Sequence, residues 1–425
     1  MKKSLVLVIS AILLITTLVS CGGTDAPEET KNPLGSSIKT QAPKTEEHDT
    51  KAPEATNYVA TELAKKPEEY TYNFKFEAPT GNPRDIVYDY MYKMATVEWT
   101  ASKTWTTRWK EGEEGDYGVN LTYTKGNKYH GVTYTETSGA LDLFEQYVDN
   151  GVFTPNSEYH TELVGNHCSA SMVLAYQQIL DFSLNGSLKP TRARTGLLKF
   201  PDGLEVPPSR SNNPDDWISA TMFEHNGQQA IYDGYAQLDK GDILYKNIDG
   251  SGHTRMVHKV EIQKTAAGKI VPSRSYVYCL EQTNAWDADK DSTWWIDSKY
   301  SFSQLYDTFF MPVTFEIFHE ENPTYTDAYI VMDGQNTPDT IQKALQGTVE
   351  SNYPLNYVRI TIKDANGNIV GDVLVNNLAR NYKVNLRNYH YQLGIDKLAS
   401  GTYTYTLRAG IARGGVDVES FQFTK

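Results

Sequence analysis

The period of the hydrophobic pattern changes along this 425-residue chain, and that change restricts the fold more than any other feature. Apolar residues recur at helical spacing after Asn82-Pro83, again after Asn166-His167-Cys168, and less clearly over residues 228–238. Beyond Gly241 the period becomes two, which predicts strands over residues 241–245, 254–262 and 276–280. Helices followed by strands predict an α+β unit, which we place at residues 58–320.

A second unit is predicted over residues 327–425. Short alternating segments are separated there by turn residues such as Asp364-Ala365-Asn366-Gly367. The pattern predicts a small all-β sandwich. It resembles the immunoglobulin-like (Ig-like) or fibronectin-like modules of many secreted bacterial proteins. Because such modules serve many functions, this fold alone assigns none.

The N-terminus has the layout of an export signal. Lys2 and Lys3 precede an apolar run over residues 5–19, which is short for a membrane span. The run ends at Leu18-Val19-Ser20-Cys21, which resembles the lipobox of bacterial lipoproteins. This resemblance implies a signal peptide over residues 1–20 and a lipid attached to Cys21, which would anchor the protein outside the cytoplasm. The alternative is an ordinary signal peptide with an incidental Cys.

Composition separates the tether from the folded chain and excludes some partners. Residues 22–57 contain no aromatic residue and four Pro, so we predict a disordered tether over residues 21–57. The whole chain is 12% aromatic, which favours folded domains for the remainder. A net charge of -13 without a Lys/Arg stripe argues against nucleic acid as a partner. Three Cys are too few for a disulfide scaffold.

One group of residues has the pattern of a nucleophilic site. Cys168 opens a predicted helix, whose free N–H groups and dipole lower the pKa of a thiol. A nucleophilic Cys needs a base and a group that orients the base. His253 lies at the mouth of the strand predicted over residues 254–262 and is the candidate base. If the next turn is centred near residue 267, antiparallel pairing places His253 opposite Glu281. Pro272 can introduce a bulge, so Gln282 and Asn284 remain alternatives.

These residues resemble the papain-like bacterial cell-wall hydrolases, namely the NlpC-like peptidases and the CHAP amidases and endopeptidases. The matching segments lie within residues 128–284 and are Asn166-His167-Cys168-Ser169-Ala170, Gly241-Asp242-Ile243-Leu244, Gly252-His253 and Glu281-Gln282-Thr283-Asn284. The chain departs from the family pattern at His167, where an Asp often precedes the Cys. It also departs in the long separation between Cys168 and Gly241.

The resemblance implies both a fold and a chemistry. Residues 58–320 would form a papain-like cysteine hydrolase domain, followed by the Ig-like or fibronectin-like sandwich. Cys168 would attack an amide carbonyl, His253 would act as base and then acid, and Glu281 would hold the imidazole. Tyr134 would help to line the oxyanion or substrate site, together with Gln282 and Asn284.

Each of these features also has a structural interpretation. A Cys on a helix is usually a small core residue, and Cys279 could approach Cys168 closely enough for a disulfide. His258 is expected on the other strand face from His253. The closely spaced Trp99, Trp105 and Trp109 could stack on a ligand but are more often core residues.

Metal and cofactor motifs are weak. Asp287, Asp289 and Asp291 have the spacing that opens a calcium loop, but the Gly and Glu of that motif are replaced by Ser292 and Ser298, so a solvated acidic loop is favoured. No Cys/His cluster has zinc spacing and no phosphate-binding Gly motif is present. We therefore expect neither a metal site nor a cofactor.

The sequence thus predicts a lipid-anchored surface protein with a cysteine hydrolase domain. Its expected substrate is an amide bond in peptidoglycan peptides, and its expected partners are cell-surface peptide or glycan and, through the anchor, the membrane. The alternative is a non-catalytic cell-wall or glycan binding or adhesion lipoprotein with a degenerate papain-like domain.

Overall fold

The computed structural model describes residues 61–112, 120–181, 198–205, 219–248, 251–287, 292–376, 378 and 382–425. The predicted signal peptide, the lipid attachment site Cys21 and the predicted tether over residues 21–57 lie outside the described residues. Among the residues that are described, no helix is long and apolar enough to span a membrane.

The described chain is a mixed α and β structure with mostly β elements. The α-helices are α1 (Pro83–Thr96), α2 (Leu141–Glu145), α3 (Cys168–Tyr176), α4 (Ser219–Tyr235) and α5 (Phe302–Asp307). The strands are β1 (Tyr72–Phe76), β2 (Glu98–Ala101), β3 (Trp105–Thr106), β4 (Thr122–Tyr123), β5 (Lys128–His130), β6 (Val148–Asp149), β7 (Val152–Phe153), β8 (Leu198–Lys199), β9 (Ile243–Ile248), β10 (Ser251–Glu261), β11 (Tyr276–Asp287), β12 (Ser292–Ser301), β13 (Met311–Phe315), β14 (Ala328–Asp333), β15 (Thr348–Ser351), β16 (Leu355–Lys363), β17 (Ile369–Val375), β18 (Lys383–Asn385), β19 (Thr402–Ile411) and β20 (Gly414–Thr424).

The first unit is built on a ten-stranded sheet in the order β6-β7-β2-β5-β12-β11-β10-β9-β13-β8. Its centre is an antiparallel run from β12 to β13. Helix α1 begins where the sequence predicts. The Asn82 side chain accepts a hydrogen bond from the backbone N–H of Arg84, and Pro83 occupies the first turn.

Helices cover the two faces of this sheet, and β13 shows which helix lies on which face. Successive side chains of a strand point to opposite faces, so Pro312 and Phe315 lie on different faces. A Cβ added to Gly234 of α4 would come within 3.1 Å of Pro312 Cγ. The ring of Phe315 lies 4.2 Å from that of Tyr176 in α3, measured between centroids. We therefore call the two sides the α4 face and the α3 face.

The second unit is a sandwich of two four-stranded sheets, ordered β1-β14-β15-β18 and β17-β16-β19-β20. Buried side chains from both sheets, including Ile330 and Val349 of the first and Ile360 and Leu407 of the second, share one hydrophobic core. Strand β1 pairs with β14 although it lies at the other end of the chain. The sandwich therefore includes a strand from outside the predicted range 327–425, since alternation along a strand does not indicate its partner.

The two units are joined by buried and half-buried polar contacts. Arg408 of β19 donates to Asp142 of α2 across 2.6 Å, and Tyr357 donates to the same carboxylate. The backbone N–H of Ala140 donates to the Asn356 side chain across 2.8 Å. These charged and neutral hydrogen bonds fix the sandwich against the first unit.

Candidate functional site around His253 and Glu281

Four side chains form a polar cluster on β10, β11 and β12. The carboxylate of Glu281 lies 2.6 Å from His253 Nε2 and accepts hydrogen bonds from Arg255 Nε at 2.9 Å and from the Tyr300 hydroxyl at 2.5 Å. The Glu281 side chain is only 3% exposed. Both carboxylate oxygens are therefore used by protein donors within a nearly closed environment.

The cluster holds Glu281 in its ionised form. Burial alone would raise the pKa of this carboxyl, but the charge of Arg255 and the hydrogen bonds from His253 and Tyr300 outweigh burial and hold the pKa at about 2. An ionised Glu281 requires a proton on His253 Nε2, which leaves Nδ1 as an acceptor in the neutral ring. That Nδ1 is buried without a hydrogen-bond partner among the described residues. Burial accordingly lowers the pKa of His253, against the opposing effect of Glu281.

The contact between His253 and Glu281 forms in a different register from the predicted one. The turn is centred near residue 267 as expected, because Lys264 bridges Ile270. The 3-10 helix Pro272–Arg274 and a register shift between Val257 and Lys259 then offset the strands, so that Met256 pairs with Leu280. Glu281 consequently contacts His253 diagonally across the two strands, because the two residues are not directly opposite each other.

The cluster lies on the α4 face. Pro312 pairs with Leu244, Leu244 pairs with Arg255, and His253 precedes Arg255 by two residues, so these side chains share that face. The position of Phe310 agrees with this placement. Phe310 precedes Pro312 by two residues, and its ring centroid lies 6.1 Å from that of His253.

Cys168 does not belong to this cluster. It is the first residue of α3, as the sequence predicts, and His167 precedes it in extended conformation. Helix α3 packs against β10 and β11 on the face opposite to His253. The sheet therefore separates the predicted nucleophile from its predicted base, and the geometry provides no Cys168–His253 pair. Burial also lowers the pKa of His167 to about 4, so this neighbouring ring is neutral near pH 7.

The remaining predicted site residues lie on the side of Cys168. Gln282 faces away from Glu281, is fully buried and donates to the carbonyl of Val132 across 3.0 Å. Tyr134 is buried and forms an isolated bridge with Asn166, two residues before Cys168. Asn284 is buried two residues beyond Gln282. The predicted set is thus divided between the two faces of the sheet.

Two members of the cluster, Arg255 and Tyr300, were not predicted from the sequence. The guanidinium carbon of Arg255 lies 3.7 Å from the ring centroid of Tyr300 and 3.9 Å from that of Phe310. A signal was available, because Arg255 lies two residues after His253 and a period of two places it on the same face. Tyr300 and Phe310 had no comparable signal, since their approach depends on strand pairing and on the loop after α5.

The structure also decides several alternatives. Trp99 and Trp105 are buried core residues and form no exposed aromatic groove. No disulfide joins Cys168 to Cys279. His258 binds Asp297 away from the cluster.

The acidic motif at Asp287, Asp289 and Asp291, for which the sequence favours a solvated loop over a calcium site, lies largely outside the described residues. Asp289 and Asp291 lie outside them, as does the side chain of Asp287. Elsewhere in the described ranges, no group of three or more His, Cys, Asp or Glu side chains could hold a metal ion.

Comparisons with known proteins assign no family to this chain. No family model matches it, and no curated protein matches it. One solved structure, titled "Crystal structure of tetra-tandem repeat in extending region of large adhesion protein", is similar at 15% identity over 43% of this chain and 40% of that chain. Its TM-score is 0.16, so the similarity carries no argument about fold or function.

Proposed function

We propose that this chain is a lipid-anchored surface protein that binds cell-wall peptide or glycan without cleaving it. In this proposal residues 58–320 are a degenerate relative of the papain-like cell-wall hydrolases, and the C-terminal sandwich is an Ig-like or fibronectin-like module. The order of the matching motifs and the lipobox-like N-terminus support the location and the ligand class.

Cys168 lies on the α3 face and His253 lies on the α4 face. This placement is the observation that supports binding without cleavage. Cysteine hydrolases need the thiol within hydrogen-bond reach of its base, because the base must remove the thiol proton. A side-chain rotation cannot carry either group through the sheet between them. His253 Nε2 is also engaged with Glu281, inside a cluster that Arg255 and Tyr300 complete.

A second candidate, a cysteine hydrolase acting on peptidoglycan amides, is favoured by two observations. Cys168 stands at the N-terminus of a nine-residue helix and is partly exposed. His253 and Glu281 make the close hydrogen bond that orients a catalytic base in such enzymes.

Purified cell walls distinguish the two candidates. The protein without residues 1–57 and its Cys168→Ala variant are each incubated with walls, which are then sedimented and examined for released peptides. We expect both proteins to sediment with the walls equally and neither to release product. Release of product by the parent protein that Cys168→Ala abolishes would overturn the binding proposal in favour of the hydrolase.

A further inference from the structure

Arg255 differs from the other buried and half-buried arginines in how its donors are used. Arg84, Arg359, Arg408 and Arg413 each donate from a terminal nitrogen to a protein oxygen. Arg255 donates from Nε alone, to Glu281. Within the described residues its two terminal nitrogens have no hydrogen-bond partner.

These terminal nitrogens are nevertheless available to a ligand. The Arg255 side chain keeps 13% of its surface exposed, and its terminal nitrogens are not among the buried polar atoms that lack a partner. A guanidinium has five N–H donors, of which Glu281 uses one. Four donors therefore remain unused by the described residues, on a side chain that solvent reaches in part.

The guanidinium is also held rigidly. The ring centroids of Tyr300 and Phe310 lie 3.7 and 3.9 Å from its central carbon, and the hydrogen bond from Nε to Glu281 fixes its orientation. Tyr300 in turn donates to Glu281, which fixes the ring. A planar fork fixed in this way loses little conformational entropy on binding, which favours affinity.

We infer that Arg255 is a binding site for a single carboxylate group, presented by a wall peptide or an acidic sugar. A carboxylate matches the planar fork of a guanidinium in a bidentate geometry. Glu281 already offsets the charge of Arg255, so the site should favour a monoanion over a phosphate dianion. The inference rests on the proposed binding function and names the chemical group that is bound.

Ligand-observed NMR on the full-length chain in detergent tests this site with N-acetylalanine and its amide, N-acetylalaninamide. We expect the parent protein to bind the acid at least tenfold more tightly than the amide, and Arg255→Gln to lose that preference. Arg255→Lys should also bind at least fivefold more weakly, because an ammonium cannot donate as a fork. Arg274→Gln removes one exposed positive charge elsewhere and should behave like the parent.

Several results would overturn the inference. Equal affinity of the parent for acid and amide would do so, as would unchanged acid binding by an Arg255→Gln variant whose circular dichroism matches the parent. Tighter binding of inorganic phosphate than of acetate would contradict the choice of a carboxylate. If Arg255→Gln sediments with walls as fully as the parent, the Arg255 site is refuted and the proposed wall-binding function stands. A parent protein that fails to bind walls would instead refute the proposed function, while the comparison of acid with amide still tests Arg255.

Discussion

Glu281→Gln should destabilise the first unit by about 3 kcal/mol at neutral pH. The substitution removes the charge that faces the largely buried Arg255 while it keeps the size and planarity of the side chain. The carboxyl pKa falls from 4.5 to about 2 in the folded protein, and each pKa unit corresponds to about 1.4 kcal/mol, which gives about 3 kcal/mol. The usual cost of breaking a buried ion pair, about 3–5 kcal/mol, is of the same size.

The same shift predicts how stability depends on pH. Because the folded pKa is depressed, Glu281 contributes its full stabilisation above pH 4.5, and that contribution is lost as the pH falls toward 2. The difference in stability between the parent and Glu281→Gln should therefore be largest near pH 7 and shrink steadily below pH 4.5.

Urea unfolding followed by tryptophan fluorescence measures this effect selectively. All seven Trp residues of the chain lie between residues 99 and 295, so the signal reports the first unit rather than the sandwich. Glu261→Gln is the matched control, since Glu261 also binds a Lys and a Tyr, at 2.9 and 2.8 Å, but is half exposed. It should change stability little. A loss below 1 kcal/mol for Glu281→Gln at pH 7, or a difference that does not change with pH, would refute the reasoning.

Two further predictions concern packing and thiol access. Gly131→Ala should cost about 3 kcal/mol or more, because a Cβ there would lie 2.1 Å from Trp294 Cδ1 at a φ of +79°. Gly126→Ala is the control, because φ is +81° there but no atom lies within 4 Å of an added Cβ. It should cost only the backbone strain, about 1 kcal/mol, in the same unfolding assay. Equal losses of stability in the two variants would contradict the predicted clash. A maleimide should label Cys168 in the folded protein and should label Cys279 only after urea unfolds the chain. Cys279 is fully buried, and burial raises the pKa of its thiol. Mass spectrometry of the labelled peptides checks this, and modification of Cys279 in the folded protein would contradict the described burial.

Local sequence signals predict several elements well. Helix α1 begins at Pro83 after an Asn cap, α3 begins at Cys168, and the alternation beyond Gly241 marks β9, β10 and β11. Each of these signals depends on residues within one turn of a helix or a few positions of a strand. The contact between His253 and Glu281 was also within reach, because it lies on neighbouring strands joined by one turn.

The non-local features were not predictable in the same way. Alternation shows that His253 and Arg255 share a face, but it does not show which helix covers that face. The separation of Cys168 from His253 is therefore evident only from the contacts of β13, in which Pro312 packs against α4 and Phe315 packs against α3. The two-residue offset at Glu281 likewise depends on a 3-10 helix and a register shift that no local pattern specifies.

The pH dependence of Cys168 alkylation tests the central claim most directly. A thiol paired with an imidazole has a lowered pKa, and loss of that imidazole raises it. Iodoacetamide alkylation rates of Cys168 are measured between pH 5 and 10 in the parent and in His253→Gln. The separation of the two residues across the sheet predicts the same apparent thiol pKa in both proteins. A thiol pKa that rises by one unit or more in His253→Gln would show that the two residues meet, and it would contradict the non-catalytic account.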